Sequence, residues 1–195
     1  MENEKTRTDA LQLMQEWTES ESLRKHMLSV EAVVVAYARK FGADEEEWAM
    51  AGLLHDLDYE RYPNPERDET GHPYVAAAEL RRQGYPESVI HAVMAHADYT
   101  GTPRDTQLAR VLYACDEITG LVTAAVLVRP DRDIAGLTLK SLKKKFKDKA
   151  FARGVNREDV RRGAEELGVE LDEHMNFVLQ AMQERAAELG LDGSE

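Results

Sequence analysis

Cysteine is nearly missing: Cys115 stands alone in 195 residues, so the chain can build neither an intramolecular disulfide nor a multi-thiolate zinc site. That usage fits a reducing, cytoplasmic compartment. No apolar run approaches the roughly 18 residues of a membrane-spanning helix, and the opening Met1-Glu2-Asn3-Glu4-Lys5 is acidic with no apolar signal core behind it. Export and membrane insertion are therefore not expected. Positive charge is in deficit, with 25 Lys and Arg against 37 Asp and Glu for a net charge of −12, which argues against broad electrostatic binding to nucleic acid or an anionic membrane. Glycine-rich phosphate loops are missing too. Neither Gly-x-Gly-x-x-Gly nor Gly-Lys-Ser/Thr occurs, so the P-loop and dinucleotide-binding turns are not available.

What is present suits one folded domain. Hydrophobic residues make up 43% and charged residues 32%, a balance that supports a sizeable core and does not read as disorder. Charge is unevenly spread: residues 139–163 carry ten Lys and Arg against three acids inside an otherwise acidic chain. Such a block is either a solvated helix face or a local attractor for phosphate.

Apolar residues recur at three- and four-residue steps almost throughout, and sustained two-residue alternation is absent, which predicts an all-α fold. A first helix starts near Thr8. Ser20 is placed to cap a long one running through Leu23, Met27, Val30, Val34 and Tyr37 to a stop at Gly42. Asp44 caps the next, with Glu47 three residues on, and that helix ends at His55-Asp56. Residues 57–71, with Pro63, Pro65 and Gly71, read as a polar loop. Further helices are predicted at about 73–83, 86–97 and 105–127, then near 138–149, 156–168 and 170–190 after the break at Arg129-Pro130-Asp131. The final helix carries Phe177, Leu179, Met182 and Leu189, a face for core packing or for a homodimer seam.

Chemistry concentrates in the histidines. Five of the six, His26, His55, His72, His91 and His96, fall in the first half of the chain; the sixth, His174, sits in the acidic tail and is expected to be exposed. The pair His55-Asp56 ends the apolar run Ala49-Met50-Ala51-Gly52-Leu53-Leu54, so it must be satisfied by something other than the core it abuts. A cation does this. Imidazole nitrogen plus carboxylate oxygen suits Mn, Fe, Co, Ni or Zn, with Mg tolerated, and His26 and Asp116 can complete a mixed shell from neighbouring helices. His91 lies five residues before His96 and points about 140° away from it, so it is read as structural or as a support behind the ligands rather than as a ligand. Asp58, Glu60 and Asp98 are candidates for orienting water or substrate, although a loop of this polarity is more often solvated. Cys115 is read as packed rather than nucleophilic.

The contexts Arg24-Lys25-His26-Met27, Gly52-Leu53-Leu54-His55-Asp56-Leu57 and Tyr113-Ala114-Cys115-Asp116 resemble the H…HD…D signature of the HD superfamily of metal-dependent phosphohydrolases, over roughly residues 20–128. The resemblance implies an all-helical metal-binding core over residues 20–128; with the predicted helices on either side, residues 1–19 are expected to form an N-terminal helix and 129–195 a C-terminal helical extension packed on the core. The resemblance also implies His26, His55, Asp56 and Asp116 as metal ligands, and hydrolysis of a phosphate ester or anhydride by metal-activated water.

His72, in Gly71-His72-Pro73, and His96, closing Ala92-Val93-Met94-Ala95-His96, are similar to the extra histidines of HD subgroups that bind two ions, in which Asp56 would bridge. Asp56, His72 and His96 are accordingly the implied catalytic set. Ala97 follows His96 where the cyclic-dinucleotide phosphodiesterases often have a second histidine, so the pattern is closer to the HD-type diadenosine tetraphosphate hydrolases. The implied substrate is a nucleotide or similar small phosphate compound, with Arg24, Lys25, Lys144 and Lys147 as candidate phosphate contacts. A non-catalytic HD domain, with structural metal and a sensing or scaffolding role, is the alternative.

Overall fold

In the computed structural model, which describes residues 4–194, Thr6 and Asp9 form a reciprocal capping box. The box opens α1 (Arg7–Trp17), one residue before the expected start. The expectation for residues 1–3 lies outside the described residues. Ser20 caps α2 (Glu21–Phe41) by accepting from the Leu23 N–H, and Gly42 ends it in the left-handed conformation. Asp44 caps α3 (Glu45–Leu54) through the Glu47 N–H, at 3.1 Å. There follow α4 (Tyr74–Arg82), α5 (Glu87–Ala95), a 3-10 turn at Asp98–Thr100 and α6 (Gln107–Leu127). A second 3-10 turn, Ile134–Gly136, precedes α7 (Leu139–Lys147), α8 (Arg157–Leu167), α9 (Leu171–Glu184) and α10 (Ala186–Leu189). The fold is all-α, with no strand among the described residues. Among the described residues, no helix is long and apolar enough to cross a membrane.

The chain divides into two compact units, one ending at Tyr113 and the other beginning at Ala114, within α6. In the first, α3 is the middle element, packed on α1, α2 and α5. Trp48 through Leu54 are all buried. A helix apolar on every side can only sit inside, and this carries the end of α3, where His55 and Asp56 follow, into the interior. Gly52 sets how near α2 and α3 approach: a β-carbon there would lie 2.6 Å from the Glu31 Cα. Glu31, buried on α2, is held by the Arg7 guanidinium from α1.

In the second unit α9 packs on α7, α8 and α10. Here the structure corrects two expectations. The helix expected over 170–190 breaks at Arg185, whose N–H turns back to the Met182 carbonyl. The break buries Leu189 and Leu191 and lets the Leu191 carbonyl accept from the Ile134 N–H at 2.8 Å. His174 is fully buried rather than exposed, its Nε2 hydrogen bonding the Ala114 carbonyl at 2.7 Å. That bond supplies the partner a buried imidazole needs.

Candidate metal centre

Five side chains from the first unit converge in two clusters that share one carboxylate. The first holds His26 of α2 with His55 and Asp56 at the end of α3; the second holds Asp56 with His72, just before α4, and His96, just after α5. Asp56 Oδ2 lies 3.6 Å from His26 Nε2 and 3.5 Å from His55 Nε2. Its other oxygen, Oδ1, lies 3.5 Å from His72 Nε2 and 3.7 Å from His96 Nε2. Within each cluster the two imidazole Nε2 atoms stand 3.2 Å apart.

Whether these groups fit a metal can be judged from the opposite nitrogens. His55 Nδ1 faces the Gly52 carbonyl at 2.8 Å, His96 Nδ1 faces the Val93 carbonyl, and His72 Nδ1 faces Asp58 Oδ1 at 2.7 Å. An oxygen acceptor at Nδ1 calls for the proton there, and in the neutral ring that leaves the lone pair on Nε2. In the second cluster two Nε2 lone pairs and a carboxylate oxygen are thus aimed at one point, an arrangement that repels itself until a cation lies among them. Ligands about 2.0–2.1 Å from a common ion are separated by about 3.0–3.5 Å, which the observed spacings approach. Both clusters are able to hold a divalent metal.

The second cluster is the more deeply set. His55 is fully buried, and His72 and His96 are nearly so, whereas His26 is partly exposed. His72 is also the most supported residue of the site. Asp58 is buried and spends its second oxygen on the Ala76 N–H of α4, at 2.7 Å. The His72 carbonyl accepts from Asn64 Nδ2 at 2.7 Å and from the Tyr99 hydroxyl at 2.5 Å. Burial holds the Tyr99 hydroxyl above the ordinary tyrosine range, with the Asp58 charge adding to it. The Tyr59 ring stands edge-on to the His72 imidazole, centroids 5.2 Å apart. Asn64 and Tyr99 were not legible as site residues; eight and 27 residues from His72, they share no spacing that marks them.

The remaining candidates are placed as follows. Asp116 lies on α6 in the second unit. Arg24 donates to the backbone carbonyls of Thr18 at 2.6 Å and Gln15 at 2.7 Å. Lys25 precedes His26 on α2, and Lys144 and Lys147 lie on α7. Glu60 accepts from the Glu19 and Ser20 N–H groups at the entry to α2. His91 pairs with Asp105 at 3.0 Å, and Asp98 with Arg104 at 2.8 Å. Cys115 is fully buried, and that burial pushes its thiol well above the ordinary range.

An all-helical fold presenting paired histidines around a shared aspartate is an arrangement able to hold divalent metal. The HD domain family model matches residues 23–121, about half of the chain, and the protein belongs to that family. Among curated relatives, Ribonuclease Y of Nitratidesulfovibrio vulgaris is 31% identical over 105 residues, covering 52% of this chain and 18% of that protein. Ribonuclease Y of Geobacter metallireducens is 30% identical over 105 residues, and that of Oleidesulfovibrio alaskensis 29% over 102, with the same coverage. The chain thus matches less than a fifth of these relatives' length. No solved structure gives a significant match.

Proposed function

We propose that this protein is a metal-dependent phosphohydrolase that cleaves a phosphate anhydride or ester of a nucleotide or similar small molecule. The observation that carries the reading is the division of Asp56, with one carboxylate oxygen facing each histidine pair. One carboxylate serving two clusters is the arrangement expected of a two-ion site. Bound there, divalent ions would supply a water acidic enough to ionise near neutral pH and would neutralise phosphoryl charge. The chain's own contribution is orientation: Gly52, Val93 and Asp58 fix three imidazoles through Nδ1. The H…HD…D resemblance implies Asp116 as a metal ligand as well. Mn, Fe, Co, Ni and Zn all suit the mixed nitrogen and oxygen set.

Within the phosphohydrolases, the single His96 before Ala97 and the segment His72-Pro73-Tyr74 resemble the diadenosine tetraphosphate hydrolase subgroup, which favours an anhydride substrate. A second reading, cleavage of a phosphodiester in RNA, is favoured by the relatives named Ribonuclease Y.

The test is phosphate or nucleotide release by Mn- or Fe-reconstituted protein across nucleotides, dinucleoside polyphosphates, cyclic dinucleotides, sugar phosphates and a short RNA, with Asp56→Ala as control. Turnover that disappears in Asp56→Ala supports the hydrolase, and the substrate turned over chooses between the anhydride and the RNA. A folded, metal-loaded protein inert to every compound would move the reading to the non-catalytic sensor or scaffold.

A further inference from the structure

The basic block at residues 139–163 resolves into cations that are spent and cations that are not. Arg157 donates to the backbone carbonyls of Ala152 at 2.6 Å, Val155 at 2.8 Å and Asp148 at 3.2 Å, and so works as a staple for the loop before α8. Arg161 and Arg162 pair with Glu158 and Asp159 one turn back on α8. Lys143 pairs with Asp172 of α9, and Lys145 lies over the Phe151 ring, 4.3 Å from its centroid. Lys140, Lys144 and Lys147 are exposed and have no ion-pair partner among the described residues. With Lys143 and Leu139 they line an open groove of about 470 Å³ on α7.

Three uncompensated ammonium groups on one helix repel one another, and an anion lying among them relieves the repulsion. The kind of anion follows from the helix. Lys140 to Lys144 is a rise of about 6 Å and Lys144 to Lys147 about 4.5 Å, so the whole track is about 10 Å long. A polynucleotide gains affinity by neutralising many phosphates along an extended path, which so short a track does not offer. Insertion into a membrane requires an exposed apolar face, but the apolar residues Leu142 and Phe146 of α7 are buried. The groove's volume is that of a small-molecule site.

We propose that α7 carries a binding site for a compact polyphosphate, of the class borne by nucleoside di- and triphosphates, with Lys140, Lys144 and Lys147 on the phosphates and Leu139 beside the less polar part of the ligand. The site does not depend on hydrolysis or metal and stands or falls separately from the hydrolase reading.

The experiment is calorimetric titration of inorganic tripolyphosphate into the metal-stripped full chain at 50 mM KCl, so that the phosphates cannot bind through an ion at the histidines. Saturable binding is expected, weakened at least tenfold in Lys140→Gln/Lys144→Gln/Lys147→Gln and less than twofold in Lys149→Gln, which leaves the groove intact. The substituted lysines are exposed, and circular dichroism checks that the fold is kept. Absence of binding by the unaltered chain, an unaffected triple variant, or an equal loss in Lys149→Gln would overturn the site. A 20-nucleotide single strand or anionic vesicles binding tenfold more tightly than tripolyphosphate, and released by the same triple substitution, would overturn the compact ligand.

Discussion

His72 Nδ1 donates to Asp58 Oδ1 across 2.7 Å, and the same carboxylate accepts the Ala76 N–H at the start of α4 through Oδ2. One buried aspartate therefore fixes both the tautomer of a histidine in the second cluster and the helix that follows it. Such partners typically contribute 10- to 100-fold in metal affinity. Asp58→Asn keeps an acceptor for His72 but brings an amide donor against the Ala76 N–H. Manganese titration should show affinity at the second cluster falling by about 10-fold or more, with the helical signal kept. Affinity within threefold of the unaltered chain would mean that Asp58 only supports the fold.

The legibility of the site divides along the same line. Helix ends at Ser20, Gly42 and Asp44 could be read from the sequence because a cap is a local event between residues three or four apart. His55 and Asp56, which the fold brings together with His26, His72 and His96, stand out because imidazole and carboxylate types at the end of an apolar helix have few other uses. Asp58, Asn64 and Tyr99 act on His72 across 14, 8 and 27 residues, and no periodicity records such a pairing. The same holds for His174, whose partner is the Ala114 carbonyl 60 residues away. The acidic tail looked solvated because composition describes a segment's average, whereas burial is decided residue by residue.

The shared carboxylate makes the two clusters unequal under substitution. Asp56→Ala removes an oxygen from both, whereas His96→Ala touches only the second. Metal analysis after dialysis against manganese should find Asp56→Ala close to metal-free and His96→Ala retaining the ion near His26 and His55. Equal retention by the two variants would show that Asp56 does not serve both clusters.

Gly52→Ala sets helix propensity against packing. Alanine is favoured over glycine inside a helix by about 1 kcal/mol, so an isolated α3 would gain. The added β-carbon, however, would meet Glu31 Cα at 2.6 Å and Glu31 N at 2.9 Å, and backbone atoms cannot rotate away. Overpacking of this kind costs about 1–3 kcal/mol, and it would push α3 from α2, which carry His55 and His26. Urea denaturation should show a net loss of stability accompanied by weaker metal binding at the first cluster. A variant as stable as the unaltered chain would show that the two helices separate without strain.

Tyr85 carries the clearest pH dependence in the first unit. Its ring is buried and its hydroxyl finds no hydrogen-bond partner among the described residues. Burial, with the nearby Asp9 and Glu16 charges adding to it, pushes the phenol from 10.0 up to about 12. The folded state thus favours the neutral phenol, so this contribution is fully present below pH 10 and is lost as pH rises from 10 through 12. By pH 11 the loss amounts to about 1 kcal/mol. Tyr85→Phe has no phenol to ionise and gives up no hydrogen bond. Denaturation at pH 8 and pH 11 should therefore find it near the unaltered chain at the lower pH and about 1 kcal/mol more stable at the higher. Parallel loss in both proteins would assign the alkaline weakening to other groups.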